Sequence, residues 1–100
     1  MPITADQLSS QVAGVIRALE KLPAKERETK PSASFAENYN TLLSLAKEAM
    51  PEVDLRRWPP TSPIYQSSTG QASSEFRFTE IHAFLEQVQA ILGEGISFGF

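Results

Sequence analysis

Leu8, Val12, Val15, Ile16, Leu19 and Leu22 recur mostly three or four residues apart. A helix of about 3.6 residues per turn stacks such positions on one face, so this stretch can satisfy its apolar side chains only by packing that face against another element. Thr4-Ala5-Asp6-Gln7 has the form of a capping box, with Thr4 placed to accept an orphan backbone N–H and Gln7 placed to reach back. The first helix is therefore expected over about 4–22, stopped near Pro23. That proline also suits the opening of a short extra turn through Glu28.

Two further segments repeat the pattern. Ser34-Phe35-Ala36-Glu37 reads as a second capping box, followed by Phe35, Tyr39, Leu42, Leu43, Leu45, Ala46, Ala49 and Met50. Leu42, Leu43 and Leu45 point in different directions around a helix, so the second helix, about 35–50, buries a wide arc and is expected to pack on both sides. Phe78, Ile81, Leu85, Val88 and Leu92 advance by three and four, with Phe84 and Ile91 widening the stripe. Spacing favours a start at Ser74 over Thr79, which gives a third helix over about 74–92 with Gly93 as its stop. No pair of strands competes with these helices. The expected fold is all-α, a small antiparallel three-helix bundle in a single domain over 1–100.

Between the second and third helices lies a long Pro/Ser-rich connection. Pro51 ends the second helix, and Glu52 to Arg57 is read as a short turn at most. Pro59, Pro60 and Pro63 then hold "RRWPPTSPIY" extended, and 66–74, "QSSTGQASS", has the composition of a flexible linker. After Gly93 the tail, 94–100, alternates Ile96, Phe98 and Phe100 with Ser97 and Gly99 and reads as extended. The strap is either a PxxP ligand with Arg56 and Arg57 as flanking charge or a segment folded back over the core. The second reading is preferred, because Trp58, Ile64 and Tyr65 exposed together would form a costly apolar patch.

The balance of 9 basic and 12 acidic residues, net charge -3, disfavours phosphate backbones and anionic lipid as partners. The chain has no cysteine, which removes disulfides, thiolate chemistry and thiolate metal sites. Neither a leader-like start nor a run of about 20 apolar residues is present, so a soluble cytoplasmic protein without a membrane span is expected. His82 and Glu86 sit one helical turn apart, half of a helical metal site, and no second pair completes it; a surface histidine with an ion pair is the simpler reading. The serines cluster in linker sequence rather than beside the histidine, and no nucleophile elbow or phosphate-binding glycine motif occurs.

These observations point to a non-catalytic protein–protein interaction or regulatory module, without cofactor or metal. Its expected contact residues are Tyr39, with Asn38 and Asn40 beside it, Trp58, Tyr65, Phe98 and Phe100, engaging a protein partner or a second copy of the chain. The simpler account of the asparagines is that they tolerate the first turn of a helix. The alternative is a nucleic-acid accessory protein using Lys21, Lys25, Arg27, Lys30, Arg56 and Arg57, with bases stacked on Trp58 or Tyr65. A small enzyme of unknown reaction comes third.

Overall fold

The computed structural model describes residues 4–66, 68, 70 and 72–94. Helix α1 runs Ala5–Glu20, the short α2 Ala24–Arg27, α3 Ala33–Ala49 and α4 Phe78–Glu94, with a 3-10 turn at Leu55–Arg57. The structure is mostly helical, yet not purely all-α. Strands β1 (Ile64–Gln66) and β2 (Ala72–Ser74) pair antiparallel within the connection between α3 and α4. The absence of strands inferred from the sequence is thereby corrected.

Local chemistry explains where each helix starts. Thr4 caps α1 in a full capping box with Gln7. Ser32, rather than Ser34, caps α3: its hydroxyl accepts from the Phe35 N–H. Both serines suit the role by type, and the earlier one is used because the chain at Pro31 and Ser32 is already extended alongside β2. Helix α4 starts four residues later than Ser74, because that serine belongs to β2; the Arg77 N–H is instead capped by the Glu80 carboxylate at 3.1 Å. Gly93, expected as a helix stop, lies within α4.

The core is one cluster. Leu8, Val12, Ile16 and Leu19 of α1 meet Tyr39, Leu42, Leu43 and Ala46 of α3 and Ile81, Leu85, Val88, Ile91 and Leu92 of α4. Each large apolar side chain buried in this way stabilises the fold by about 1.5–3 kcal/mol before entropy is counted. Helix α1 packs most extensively on α4, while α3 divides its contacts between these two helices and the β hairpin. That division is why the apolar arc of α3 is wide: one part faces helices and another faces the strap. Phe35 stacks edge-on to Phe78 at 5.3 Å, and Phe76 to Phe84 at 5.2 Å, joining α3 and the chain after β2 to α4.

The hairpin register is Ile64 opposite Ser74, Tyr65 opposite Ser73 and Gln66 opposite Ala72. Gly70, between the strands, takes φ +87°, a conformation glycine adopts without the penalty a Cβ brings. The far edge of β2 is covered, since Ser32 and Ser73 form an antiparallel bridge and the Ser74 N–H donates to the Pro31 carbonyl at 2.9 Å. The run read as a linker over 66–74 thus contains an ordered strand anchored on both sides. In native-state hydrogen exchange the amides of Ser74 and Glu75, the latter bonded to the Pro63 carbonyl at 2.8 Å, should exchange slowly with the helical amides. Exchange of both at the rate of an unstructured peptide would contradict this anchoring.

Candidate functional site: the strap and its hairpin

The strap begins with a fixed end. Asp54 caps the 3-10 turn by accepting from the Arg56 N–H at 2.9 Å and also pairs with the Arg56 guanidinium at 3.1 Å. Arg57 forms a two-pronged ion pair with Glu94 at the end of α4, one arm at 3.0 Å, and its carbonyl accepts from the Gln87 side-chain amide. These contacts hold the Asp54 and Glu94 carboxyls below the usual range, first through hydrogen bonds from Arg56 and Arg57 respectively. The pairs lie at the surface, where such bonds add little stability; their effect is to fix where the strap departs.

Trp58 follows directly and is buried, at 6% exposure, within the core cluster. The strap therefore folds onto the body of the protein. Beyond it, the Tyr39 hydroxyl donates to the Pro60 carbonyl at 2.8 Å. Tyr39 itself is 1% exposed, and burial pushes its pKa well above that of a free tyrosine. Asn40 then makes a two-way clamp: its side-chain amide donates to the Ser62 carbonyl at 3.0 Å and its side-chain oxygen accepts from the Ser62 N–H at 2.7 Å. One asparagine side chain here does what a neighbouring strand would do.

Two buried serines complete the attachment. The hydroxyls of Ser62 and Ser74 lie 2.7 Å apart, and the Ser74 hydroxyl also contacts the Phe76 carbonyl at 2.9 Å and N–H at 3.0 Å. Each hydroxyl has one proton to give. Ser62 donating to Ser74 and Ser74 to Phe76 satisfies the whole chain. Neither serine stands out in the sequence, where Ser62 reads as part of the proline strap and Ser74 as the end of the linker and the start of the third helix; no local pattern distinguishes a buried serine from a solvated one.

The other expected contact residues fall in different places. Asn38 is exposed on α3, on a different side from the clamp formed by Asn40. Tyr65 is 55% exposed and Ile64 39%, both on β1. Phe98 and Phe100 lie outside the described residues. Leu55, at 73%, is a further exposed apolar residue that sequence reasoning did not select.

Among the basic residues, Lys21, Lys25 and Lys30 are exposed. The Arg27 guanidinium donates to the carbonyls of Leu22, at 3.0 Å, and Glu20, closing the end of α1. Arg27, Arg56 and Arg57 are thus engaged within the protein. His82 places Nδ1 3.0 Å from Glu86 and Nε2 3.7 Å from Glu20. That Nε2 atom is buried without a hydrogen-bond partner among the described residues, beside a small cavity of about 60 Å³ lined by Leu19, Arg27, Phe78, Thr79 and His82. No group of three or more metal-ligating side chains occurs among the described residues, and none of their helices is long and apolar enough to cross a membrane. Searches against protein-family models, curated proteins and solved structures returned no match.

Two expectations follow from the anchored strap. Trp58→Ala should destabilise the protein by ~3–5 kcal/mol, and the emission of Trp58 in the intact protein should be blue-shifted and poorly quenched by iodide; red, freely quenched emission with an unaltered melting temperature would refute burial. Tyr39→Phe should cost ~1–3 kcal/mol at pH 7, since it leaves the Pro60 carbonyl without its partner. Because the folded state raises the Tyr39 pKa, the stabilisation it contributes is fully present below the unfolded value of about 10 and is lost as pH rises beyond it. Urea midpoints at neutral and strongly alkaline pH should therefore show the advantage of wild type over Tyr39→Phe shrinking with pH, and a constant difference would contradict this assignment.

Proposed function

We propose that the protein is a non-catalytic protein–protein interaction module in which the long helices act as an antiparallel bundle that presents the strap hairpin. The single observation that carries this reading is the split along the strap. Trp58 and the Tyr39 hydroxyl are committed to holding it down, whereas Ile64 and Tyr65 stay exposed on a strand held along its inner edge by β2 and at its entrance by the Asn40 clamp on Ser62. A rigidly held aromatic beside an aliphatic group loses little conformational freedom on binding, which favours it as an anchor. The nucleic-acid alternative is less well supported, since the net charge is -3 and the Arg27 and Arg57 guanidiniums already bond to carbonyls and a carboxylate of the protein itself.

Cross-linking capture from the native host, with the full chain as bait and mass identification, tests the reading. The double variant Ile64→Ser with Tyr65→Ala should lose a specific partner at least about tenfold, while its melting temperature stays close to wild type. Capture should persist between roughly 50 and 200 mM salt, where binding dominated by phosphate contacts would fall steeply. Capture unaffected by the double variant would overturn the hairpin as the contact surface.

A further inference from the structure

The hairpin register determines where the backbone of β1 points. The Glu75 N–H donates to the Pro63 carbonyl, so the pair 63 and 75 faces inward; in an antiparallel ladder the facing alternates, which turns Tyr65 inward as well and Ile64 and Gln66 outward. Three further bonds agree with that alternation. Ser74, opposite Ile64, sends its N–H away from β1 to Pro31, and Ser62 sends its N–H and carbonyl outward to Asn40. Along the outer edge of β1 the rung at Ser62 is filled by Asn40. No hydrogen bond to the outward N–H and carbonyl groups of Ile64 and Gln66 is found among the described residues.

We infer that the outer edge of β1 pairs antiparallel with the same edge of a second copy of the chain, Ile64 opposite Gln66 of the copy and the reverse, with the two Tyr65 residues facing each other on the two-fold axis. This deepens the interaction-module reading, on which it rests, by naming the partner. The two outward rungs lie symmetrically about residue 65, so the edge is complementary to itself, as an isologous interface requires. Ile64, Tyr65 and Gln66 carry no charge, so no like charges are opposed along the ladder. The contact is short: Asn40 and α3 occupy the rung at Ser62 and end it there. An interface of so few residues lies below the size of stable complexes, so the dimer is transient and forms only at high protein concentration.

The absence of cysteine in the natural chain gives a clean test. In a non-hydrogen-bonded antiparallel pair the Cα atoms lie about 4.5 Å apart, within the span a disulfide bridges. Tyr65→Cys should therefore form an intermolecular disulfide under mild oxidation far faster than a control, Thr61→Cys, at an exposed strap position outside the pairing. Because the Gln66 N–H faces outward, Gln66→Pro removes a donor from the edge without removing a bond of the intramolecular hairpin. Added to Tyr65→Cys it should lower the rate of cross-linking at least about tenfold, and in the otherwise natural chain it should abolish the concentration-dependent rise in sedimentation coefficient, with helical circular dichroism unchanged. Equal cross-linking of Tyr65→Cys and Thr61→Cys, a dimer that survives Gln66→Pro, or a monomer up to millimolar concentration would each overturn the proposal. A monomer that still captures a different protein through Ile64 and Tyr65 would overturn this pairing and leave the interaction-module reading standing.

Discussion

A proline-rich segment laid against an apolar core loses water from its carbonyls and its few N–H groups, and each one left unpaired costs about 1–3 kcal/mol. This requirement shapes the second half of the protein. Pro59, Pro60 and Pro63 keep the strap extended and deprive it of donors, so it cannot satisfy its own backbone by coiling into a helix. Neighbouring side chains meet the need instead. Tyr39 covers the Pro60 carbonyl, and Asn40 covers both polar groups of Ser62. With those bonds in place Trp58 can enter the core without exposing an orphaned backbone beside it.

The same requirement explains the hairpin. Once Asn40 fixes Ser62, the next residues emerge as a strand, and β2 supplies their inner partners. The second edge of β2 is in turn closed by Pro31 and Ser32, the residues that lead into α3. Through this ladder the entrance to α3 and the approach to α4 are tied together. The tie is reinforced where the Phe78 N–H donates to the Thr29 carbonyl and the Thr79 hydroxyl to that of Arg27. The functional proposals rest on what this arrangement leaves over: the outer edge of β1 and the side chains of Ile64 and Tyr65.

The residues that hold the strap divide by how far their contacts depend on distant parts of the chain. Arg56 and Asp54 pair across two positions, a contact that neighbouring sequence permits. Arg57 and Glu94, or Ser62 and Ser74, meet only after the helices have docked. Asn40 is the sharpest case. Its place near the start of a helix suggests tolerance of a polar side chain, yet its amide stands in for a strand.

The three long helices were legible in the sequence because helical order is encoded locally. Period-3.6 apolar spacing at Leu8 to Leu19, the Thr4 and Gln7 box and the stripe from Ile81 to Leu92 each depend on residues within a turn or two of one another. The folding-back of the strap was legible only in part: the cost of exposing Trp58, Ile64 and Tyr65 together favoured it, yet Trp58 alone is buried, which removes it from the expected contact residues, while Ile64 and Tyr65 stay exposed. Strand pairing was not legible, because β1 and β2 are three residues each and their partners are set by register rather than by composition. "QSSTGQASS" looks like a linker whether or not its last residues join a ladder. Whether Ser74 is buried and hydrogen-bonded or solvated, and whether Asn40 faces water or the strap, is decided by what docking places within 3 Å of them. That is a property of the assembled core, which no short window of sequence contains.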